Sequence, residues 1–415
     1  MKSKLITTIV LLLLAALAGC GRQTEAPQSQ LLGQGIGPHL AVRPSGDAVV
    51  SYVSSTEDGH ALRFQLLEDG RWGNVRTVTS GPNWFVNWAD FPSVQPITET
   101  LWAAHWLVRR EAGGYAYDVH AAVSEDAGQT WSEAFRPHND GTDTEHGFVT
   151  LFPAGDRIGA IWLDGRNMTG SHDVPGNSAD AVGMTLRTGQ FGAGGVVSSE
   201  QIVDGLTCDC CQTDVAQTVD GLVAVYRDRT PEEIRDIYIS RFVDGSWQEG
   251  QAVHDDGWKI AGCPVNGPVV KADGSTVVVT WFTSANNKPV VKSAWSRDSG
   301  RTFAAPIVVA DDGVIGYVGL AMLTEDSVAV SWLCKASSQS NAICYRAIDS
   351  AGKLGTVEHL ETRGVVPRMS VPQLAFVDRQ LLFVWTDKAD DEYQISSQFI
   401  SVHSVSDGFS LAQSR

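Results

Sequence analysis

The residue types best suited to bind a metal in this chain are four cysteines, together with a histidine and an aspartate upstream of them. Thiolate, imidazole and carboxylate groups would form a soft site suited to copper(I) or zinc. The same thiols would instead pair as disulfides in an oxidising compartment, so both interpretations stay open. The predicted metal ligands are His146, Cys210, Cys211 and Cys263, and the neighbouring candidates are Asp90 and Cys208.

A second group of residues combines carboxyl groups, arginines and aromatic rings, as a site for a sugar does. A guanidinium fork matches a carboxylate, a carboxyl group protonates a leaving oxygen, and an indole ring stacks on a sugar. The residues of this group are Asp164, Tyr226, Asp228 and Glu232, together with Trp88, Asp90, Arg166, Arg227, Arg229, Arg235 and Trp258. The alternative is structural: Arg–Asp ladders that hold loops, and a tryptophan that belongs to the core.

A sevenfold repeat predicts which elements position these residues. An apolar run ending in an aromatic residue recurs at intervals of 51 to 64 residues, at Tyr52, Trp106, Trp162, Tyr226, Trp281, Trp332 and Trp385. Each unit holds several short runs of β-type residues separated by Gly, Asp and Asn turns, which is typical of four-stranded propeller blades. We therefore predict an all-β propeller of seven units, with a six-bladed arrangement as the alternative.

The repeat also predicts a common place for the chemical residues. Asp90, His146 and Cys210 each lie 16 residues before the aromatic residue of their unit, and Cys263 lies close to the same place in the next unit. Because equivalent positions of successive blades meet around the axis of a propeller, we expect a site on the face built by units 2 to 5.

Two turns carry a shared pattern that points to a family. Ser124–Trp131 and Ser296–Phe303 both follow S-x-D-x-G-x-T-W/F, in which Asp caps the turn and Gly supplies a positive φ. The pattern resembles the Asp-box, or BNR repeat, of sialidase-like β-propellers. The resemblance implies that the chain binds or hydrolyses glycans, as a sialidase-like glycoside hydrolase if it is an enzyme. It implies Asp164 or Asp228 as the catalytic acid/base and Tyr226 with Glu232 as a nucleophile pair. The substrate-binding residues would be the arginine clamps Arg166, Arg227 and Arg229, together with Trp88, Asp90, Arg235 and Trp258. A non-catalytic binding propeller and a Cys/His metal-binding lipoprotein remain as alternatives.

The N-terminal residues predict a lipid anchor. Lys2 and Lys4 precede the apolar run Leu5–Leu17, and the following Ala18-Gly19-Cys20 completes a sequence that resembles the lipobox of bacterial lipoproteins. We expect residues 1–19 to be a signal peptide, 20–33 a tether lipidated at Cys20, and 34–415 the propeller. The resemblance implies an outer-membrane lipoprotein, facing the periplasm or the cell surface, with the membrane as a partner.

Charge and the remaining cysteines narrow the choice of partners. The formal net charge of −17 argues against nucleic acid, because phosphate contacts need Lys and Arg. A glycan or another small molecule fits better. Cys334 and Cys344 flank a polar stretch between two apolar runs, so we expect them to form a disulfide across a hairpin.

Overall fold

The part of the chain that the computed structural model describes is residues 29–168, 183–336, 340–405 and 408–412. The signal peptide predicted for residues 1–19 and the lipidation predicted at Cys20 lie outside these ranges. Within the described ranges, no helix is long and apolar enough to cross a membrane. The helical content there is a single 3₁₀ turn, Ala285–Asn287.

Antiparallel strands form seven sheets in chain order. The first strand, β1 (Gln30–Gln34), belongs to the last sheet. Blade 1 contains β2 (Ile36–Val42), β3 (Ala48–Thr56), β4 (Gly59–Glu68), β5 (Arg71–Trp72) and β6 (Arg76–Gly81). Blade 2 contains β7 (Ser93–Pro96), β8 (Trp102–Arg109) and β9 (Tyr117–Ser124). Blade 3 contains β10 (His146–Ala154), β11 (Arg157–Asp164), β12 (Met184–Phe191) and β13 (Ser198–Thr207).

The remaining four blades repeat the same order. Blade 4 contains β14 (Asp214–Thr218), β15 (Gly221–Arg227), β16 (Ile237–Val243), β17 (Ser246–Trp247) and β18 (Gln251–Ala252). Blade 5 contains β19 (Val269–Asp273), β20 (Thr276–Thr283), β21 (Val290–Ser296) and β22 (Ile307–Ala310). Blade 6 contains β23 (Val314–Thr324), β24 (Ser327–Lys335), β25 (Asn341–Asp349) and β26 (Glu358–His359). Blade 7 contains β27 (Gln373–Val377), β28 (Gln380–Ala389), β29 (Glu392–Val405) and β30 (Gly408–Ala412).

The first strands of the blades surround the axis of a seven-bladed propeller. Contacts run from β2 to β7, from β10 to β14, β19, β23 and β27 in turn, and from β27 back to β2. The all-β propeller prediction is confirmed, and the six-bladed alternative is wrong.

The second strand of each blade is buried because it is covered by a neighbouring blade on each side. The residues of β20, Thr276–Thr283, are buried along the whole strand. All seven repeat aromatics lie on these second strands and are at most 4% exposed. A run that is apolar on both faces is what a sheet packed between two other sheets requires.

The two turns with the shared pattern are built alike. In the first, the Ser124 hydroxyl accepts the Gly128 N–H, and the Asp126 carboxylate accepts both the N–H and the hydroxyl of Thr130. Ser296 and Asp298 make the equivalent bonds in the second turn. The side chains therefore replace backbone partners that a tight turn leaves unpaired.

Strand β1 closes the ring and changes the expected domain boundary. It pairs with β29, so blade 7 combines strands from both ends of the described chain. The sheet begins at Gln30, inside the segment 20–33 that the sequence assigned to a tether. In blade 6, a disulfide joins Cys334 of β24 to Cys344 of β25. These cysteines are diagonal neighbours, because Cys334 faces Ala342 and Cys344 faces Trp332.

Candidate functional site

A cavity of about 300 Å³ opens among the loops of blades 2 to 5, and we call it the acidic pocket. Its wall includes aromatic rings, carboxyl groups and two thiols, which is the composition expected of a small-molecule site. The lining residues are Phe85, Asn87, Trp88, Ala89, Asp90, Tyr115, Tyr117, Glu145, Phe148, Asp209, Cys210, Cys263 and Val265. The predicted face is therefore the one that holds the pocket.

Two buried carboxyl groups share one tyrosine hydroxyl in this wall. The oxygen of Tyr117, at the start of β9, lies 2.6 Å from Asp90 Oδ2 and 2.7 Å from Glu145 Oε1. Asp90 Oδ1 also accepts the Phe148 N–H at 2.8 Å. Asp90 is 2% exposed and Glu145 7%, so neither carboxyl is well hydrated.

One proton on the tyrosine cannot serve two carboxylates, so at least one carboxyl must be protonated. Desolvation by burial raises the pKa of Asp90 to about 7 and that of Glu145 to about 8. Asp90 accepts two N–H or O–H bonds, which favours its ionised form. At neutral pH the Asp90 and Glu145 carboxyl groups therefore hold at least one proton between them, beside the Tyr117 hydroxyl.

A glycine makes this close approach feasible. A Cβ on Gly147 would lie 1.9 Å from Asp90 Oδ2 and 2.8 Å from the Tyr117 hydroxyl oxygen. The next residue, Phe148, has a φ of 53°, which turns its N–H toward Asp90. Blade 6 uses the same device with a neutral side chain, because Asn266 Oδ1 accepts the N–H of Tyr317 at 2.7 Å. Asp90 therefore puts a carboxyl group where the ring elsewhere uses an amide.

A second cavity of about 320 Å³ adjoins the acidic pocket, and Tyr115 and Glu145 line both. Its other lining residues come from the β8–β9 turn, the segment before β10 and Met168. Glu145 thus lies at the junction of two spaces, where an acid would meet the bond joining two units of a ligand.

The cysteines form a cluster beside the pocket. The sulfurs of Cys208, Cys210 and Cys211 lie within 4.8 Å of one another, and Cys210 and Cys263 both line the pocket. Burial raises the pKa of the Cys208 thiol, but hydrogen bonds with the neighbouring thiols outweigh this and hold it well below its usual range. Cys208 and Cys211 have the spacing Cys-x-x-Cys, a relation that the sequence analysis did not use.

His146 does not belong to the thiol cluster, which corrects the predicted metal ligand set. Its ring is fully buried and stacked on His138 at 3.9 Å between ring centroids. Its Nε2 lies 3.0 Å from Asp140 Oδ2 and 3.8 Å from Asp164 Oδ1. Glu145 and His146 are neighbours in sequence, but Glu145 lines the acidic pocket, whereas His146 belongs to a closed ion-pair network with Asp140 and Asp164.

Asp164 and Arg166 belong to that network rather than to a ligand site. The Asp164 carboxylate is 0% exposed and accepts Arg166 Nε at 2.8 Å, Arg166 Nη2 at 2.7 Å and Trp162 Nε1 at 2.8 Å. Hydrogen bonds from Arg166 and the charge of His146 outweigh desolvation and lower the pKa of Asp164. With its acceptors filled, Asp164 cannot act as the predicted catalytic acid.

Arg227 and Trp258 are also structural, contrary to prediction. The Arg227 side chain is 2% exposed and donates to the backbone oxygens of Asn266, Arg235 and Phe282. Its guanidinium carbon lies 4.8 Å from the centre of the Trp258 ring. A guanidinium occupied in this way joins blades 4 and 5 and leaves no fork for a substrate.

The predicted nucleophile pair is wrong. Tyr226 donates its hydroxyl proton to Asp204 at 2.6 Å, whereas Glu232 is exposed on the β15–β16 connection. Asp228 is 7% exposed, and desolvation raises its pKa to about 7. Asp228 follows β15 of blade 4, near Asp204 on β13 of blade 3, and it does not line the acidic pocket.

Arg229 and Arg235 take part in ion pairs behind the thiols. Both contact Glu233, at 2.7 Å and 2.9 Å, and Arg235 Nη1 also donates to Cys208 Sγ at 3.4 Å. Neither lines the pocket. Of the predicted substrate-binding residues, Trp88 and Asp90 line it.

Residue types and repeat spacing did not predict the aromatic and acidic residues that complete the pocket. Glu145 directly precedes His146, so the repeat identified the right position and the wrong side chain. Tyr117 begins the third strand of its blade, where no repeat drew attention to it. The missed lining residues with chemical potential are Phe85, Tyr115, Tyr117, Glu145, Phe148 and Asp209.

Comparisons with known proteins support the fold. No protein-family model and no curated protein matches the chain. Among solved structures, polysaccharide lyase Uly1 aligns with a TM-score of 0.52 at 10% identity, over 88% of this chain and 90% of that one. The α-L-arabinanase of Penicillium chrysogenum, complexed with arabinobiose, aligns with a TM-score of 0.49 at 12% identity, over 90% and 99%. The Hadza microbial sialidase Hz136 aligns with a TM-score of 0.46 at 15% identity, over 72% of this chain and 63% of its own length.

These neighbours are named for activities on glycans. At such identities the likeness shows the propeller fold alone, so the function has to be argued from the site.

Proposed function

We propose that this chain is a lipid-anchored envelope propeller that binds a glycan across the two adjoining cavities and cleaves it with Glu145 as the general acid. The observation that carries the proposal is the pair of buried carboxyl groups on the Tyr117 hydroxyl, at 2.6 Å and 2.7 Å. Two carboxyl groups with different proton affinities at one bond are the usual equipment for glycoside cleavage.

Each residue has a definite role in the cleavage. Glu145 gives its proton to the oxygen of the scissile bond, and the carbon–oxygen bond breaks as that oxygen leaves. The Asp90 carboxylate stabilises the positive charge that develops on the sugar ring. Water then attacks the ring carbon, and its proton returns to Glu145, which restores the starting state.

The lining favours an uncharged sugar over a sugar acid. Phe85, Trp88, Tyr115 and Phe148 provide apolar ring surfaces for sugar faces. No arginine or lysine among the described residues lines either cavity. A ligand carboxylate would therefore meet the Asp90 and Glu145 carboxyl groups with no Arg or Lys side chain among the described lining residues, so the sialidase-like substrate implied by the resemblance is not the one we propose.

The attachment to the membrane is part of the same proposal and has its own test. Replacement of Cys20 by Ala should release the protein into the soluble envelope fraction, because one acylated residue supplies the anchor. A Cys20→Ala protein that sediments with membranes as the wild type does would contradict the anchor and leave the pocket chemistry untouched.

The catalytic proposal is tested with a panel of neutral and acidic oligosaccharides, by product analysis and by calorimetric binding. We expect Glu145→Gln to lower kcat/KM on the accepted neutral glycan by about 10²- to 10⁴-fold while binding persists. Asp90→Asn is the matched variant for the second carboxyl group. Asn266 accepts the Tyr317 N–H as Asp90 accepts the Phe148 N–H, which shows that an amide oxygen can make this bond. If the wild type binds glycans without cleaving any, the propeller is a non-catalytic binder; equal activity of wild type and Glu145→Gln excludes this acid.

A further inference from the structure

The cysteine cluster has a pattern of contacts that two disulfides do not explain. The sulfurs of Cys208, Cys210 and Cys211 lie within 4.8 Å of one another, and those of Cys208 and Cys211 are 3.0 Å apart. A disulfide joins two sulfurs, whereas here three sulfurs meet. A shared central ligand accounts for such convergence.

The three sulfurs lie near the spacing that one cation requires. Two thiolate sulfurs that bind one ion at about 2.3 Å in trigonal or tetrahedral geometry lie about 3.8–4.0 Å apart. The sulfurs of Cys208, Cys210 and Cys211 lie within 4.8 Å of one another, and those of Cys208 and Cys211, which are 3.0 Å apart, would separate by about 1 Å around an ion. All three come from the short β13–β14 connection, so small side-chain rotations suffice to bring them around one ion.

The surroundings supply the charge that such a site needs. Arg235, 2% exposed, donates to Cys208 Sγ, and the buried Arg227 adds a second positive charge nearby. Cationic hydrogen-bond donors behind thiolates fix their orientation and offset their negative charge. Cys208 and Cys211 are 1% and 2% exposed, so the ion would be shielded on its inner side, with Cys210 and Cys263 at the pocket wall.

We propose that Cys208, Cys210 and Cys211 bind one soft closed-shell cation, copper(I) or zinc, and that Cys263 is the thiol on the pocket side. This site is independent of glycan cleavage. Three thiolates complete a copper(I) site, whereas zinc takes four ligands, of which the fourth is either Cys263 or a water molecule. His146 takes no part, since its ring lies in the ion-pair network.

The experiment is elemental analysis and a count of free thiols on the full-length protein, purified from membranes without reductant or chelator. We expect one copper or zinc per chain, and four thiols that become alkylated only after the metal is removed under denaturing conditions. Cys210→Ser should reduce the bound metal at least 10-fold. The control, Cys334→Ser with Cys344→Ser, removes the blade 6 disulfide and should leave the metal content unchanged.

Cys263→Ser tests whether Cys263 is a ligand, and as an exposed residue it is the safest variant for folding. Loss of metal from this variant makes Cys263 the fourth ligand, and retention leaves a site of three thiolates; elemental analysis identifies the ion. Apo-protein titrated with Zn²⁺ alone, or with copper(I) alone, should bind one equivalent of the ion. The ultraviolet absorption of the cysteine thiolates should change until that equivalent is bound. Six blocked cysteines with no metal, and no uptake of either ion after mild reduction, would overturn the proposal.

Discussion

Two acidic clusters meet at the start of β10, and they differ in what neutralises them. In the closed network, Asp164 is paired with Arg166 at 2.7 Å, and Asp118 with Arg110 at 3.0 Å. In the acidic pocket, Asp90 and Glu145 have a tyrosine between them instead of an arginine. Glu145 of the acidic pocket and His146 of the closed network are adjacent in sequence, so one peptide bond separates the two clusters.

The comparison shows how the partner decides the role of a buried carboxyl group. An arginine fixes the charge, lowers the pKa and fills the acceptors of Asp164. At Glu145, burial is the largest influence and raises the pKa to about 8. The first kind of cluster holds loops together, and the second can exchange protons with a ligand.

Removing a charge from the closed network should have the largest effect on stability. Asp164→Asn leaves the Arg166 guanidinium, 17% exposed, without its bidentate partner. We expect a loss of about 3 kcal/mol in the free energy of unfolding. Urea denaturation measures this, and Glu145→Gln is the matched variant, expected to change stability by less than about 1 kcal/mol. Similar losses for both variants would remove the distinction between the clusters.

Crowding the shared tyrosine should affect both stability and catalysis. In Gly147→Ala, the added methyl group would meet Asp90 Oδ2 at 1.9 Å and push it away from Tyr117. We expect a cost of about 1–3 kcal/mol in the free energy of unfolding, and lower kcat/KM. Gly192→Ala is the control, since no atom lies within 4 Å of its new methyl group. Unchanged kinetics in Gly147→Ala would show that the geometry of the array is unimportant.

The two clusters should respond to pH with opposite sign. The folded pKa values of Asp90 and Glu145, about 7 and about 8, exceed their ordinary values of 3.8 and 4.5. The folded protein therefore binds more protons than the unfolded chain in this pH range. The stability that the two raised pKa values contribute is lost as pH rises from about 4 toward 8. The pKa of Asp164 is lowered, so its contribution is lost as pH falls below 3.8.

Unfolding free energies at pH 5 and pH 9 measure the first effect. The wild type should lose at least about 1.4 kcal/mol more than the Asp90→Asn, Glu145→Gln double variant over this interval, the equivalent of one pKa unit. Equal losses would mean that neither carboxyl is protonated in the folded state at pH 5 beyond its unfolded level.

The smallest effect is expected at the aromatic wall. Trp88→Ala removes a half-buried ring that lines the pocket and packs edge-on against Tyr317 at 5.5 Å between centroids. We expect glycan affinity to fall by about 1 kcal/mol, measured by calorimetry, with little change in kcat. Tyr393→Ala, which removes a ring that is 47% exposed on blade 7, should leave affinity unchanged.

The sequence predicted the architecture well because the repeat is a long-range pattern of packing. Each blade buries an aromatic residue on its second strand, and Tyr52 and Trp385 mark the first and last of them. Spacing from these residues led to Asp90 and to Cys210, which do line the pocket. Repetition thus carries positional information along the chain.

Side-chain direction and pairing were beyond the reach of that pattern. Arg227 and Glu145 are both charged residues near the same face, yet one is bonded to three backbone oxygens and the other reaches a cavity. The positive φ of Phe148 and the absence of a Cβ at Gly147 set the close approach of Asp90 and Tyr117. Neither feature is evident from residue type and spacing alone.

The pairing of β1 with β29 has a consequence for how the ring assembles. The side chains of Gln34 and Glu392, which meet at this seam, lie 358 positions apart. Such a contact brings the largest loop-closure entropy, so topology predicts slow folding with a late closing step. During synthesis, β1 and the first six blades emerge before β29, the strand that pairs with β1, has been made. We therefore expect the unpaired edge of a ring that has not yet closed to be the part of the chain most exposed to aggregation during folding.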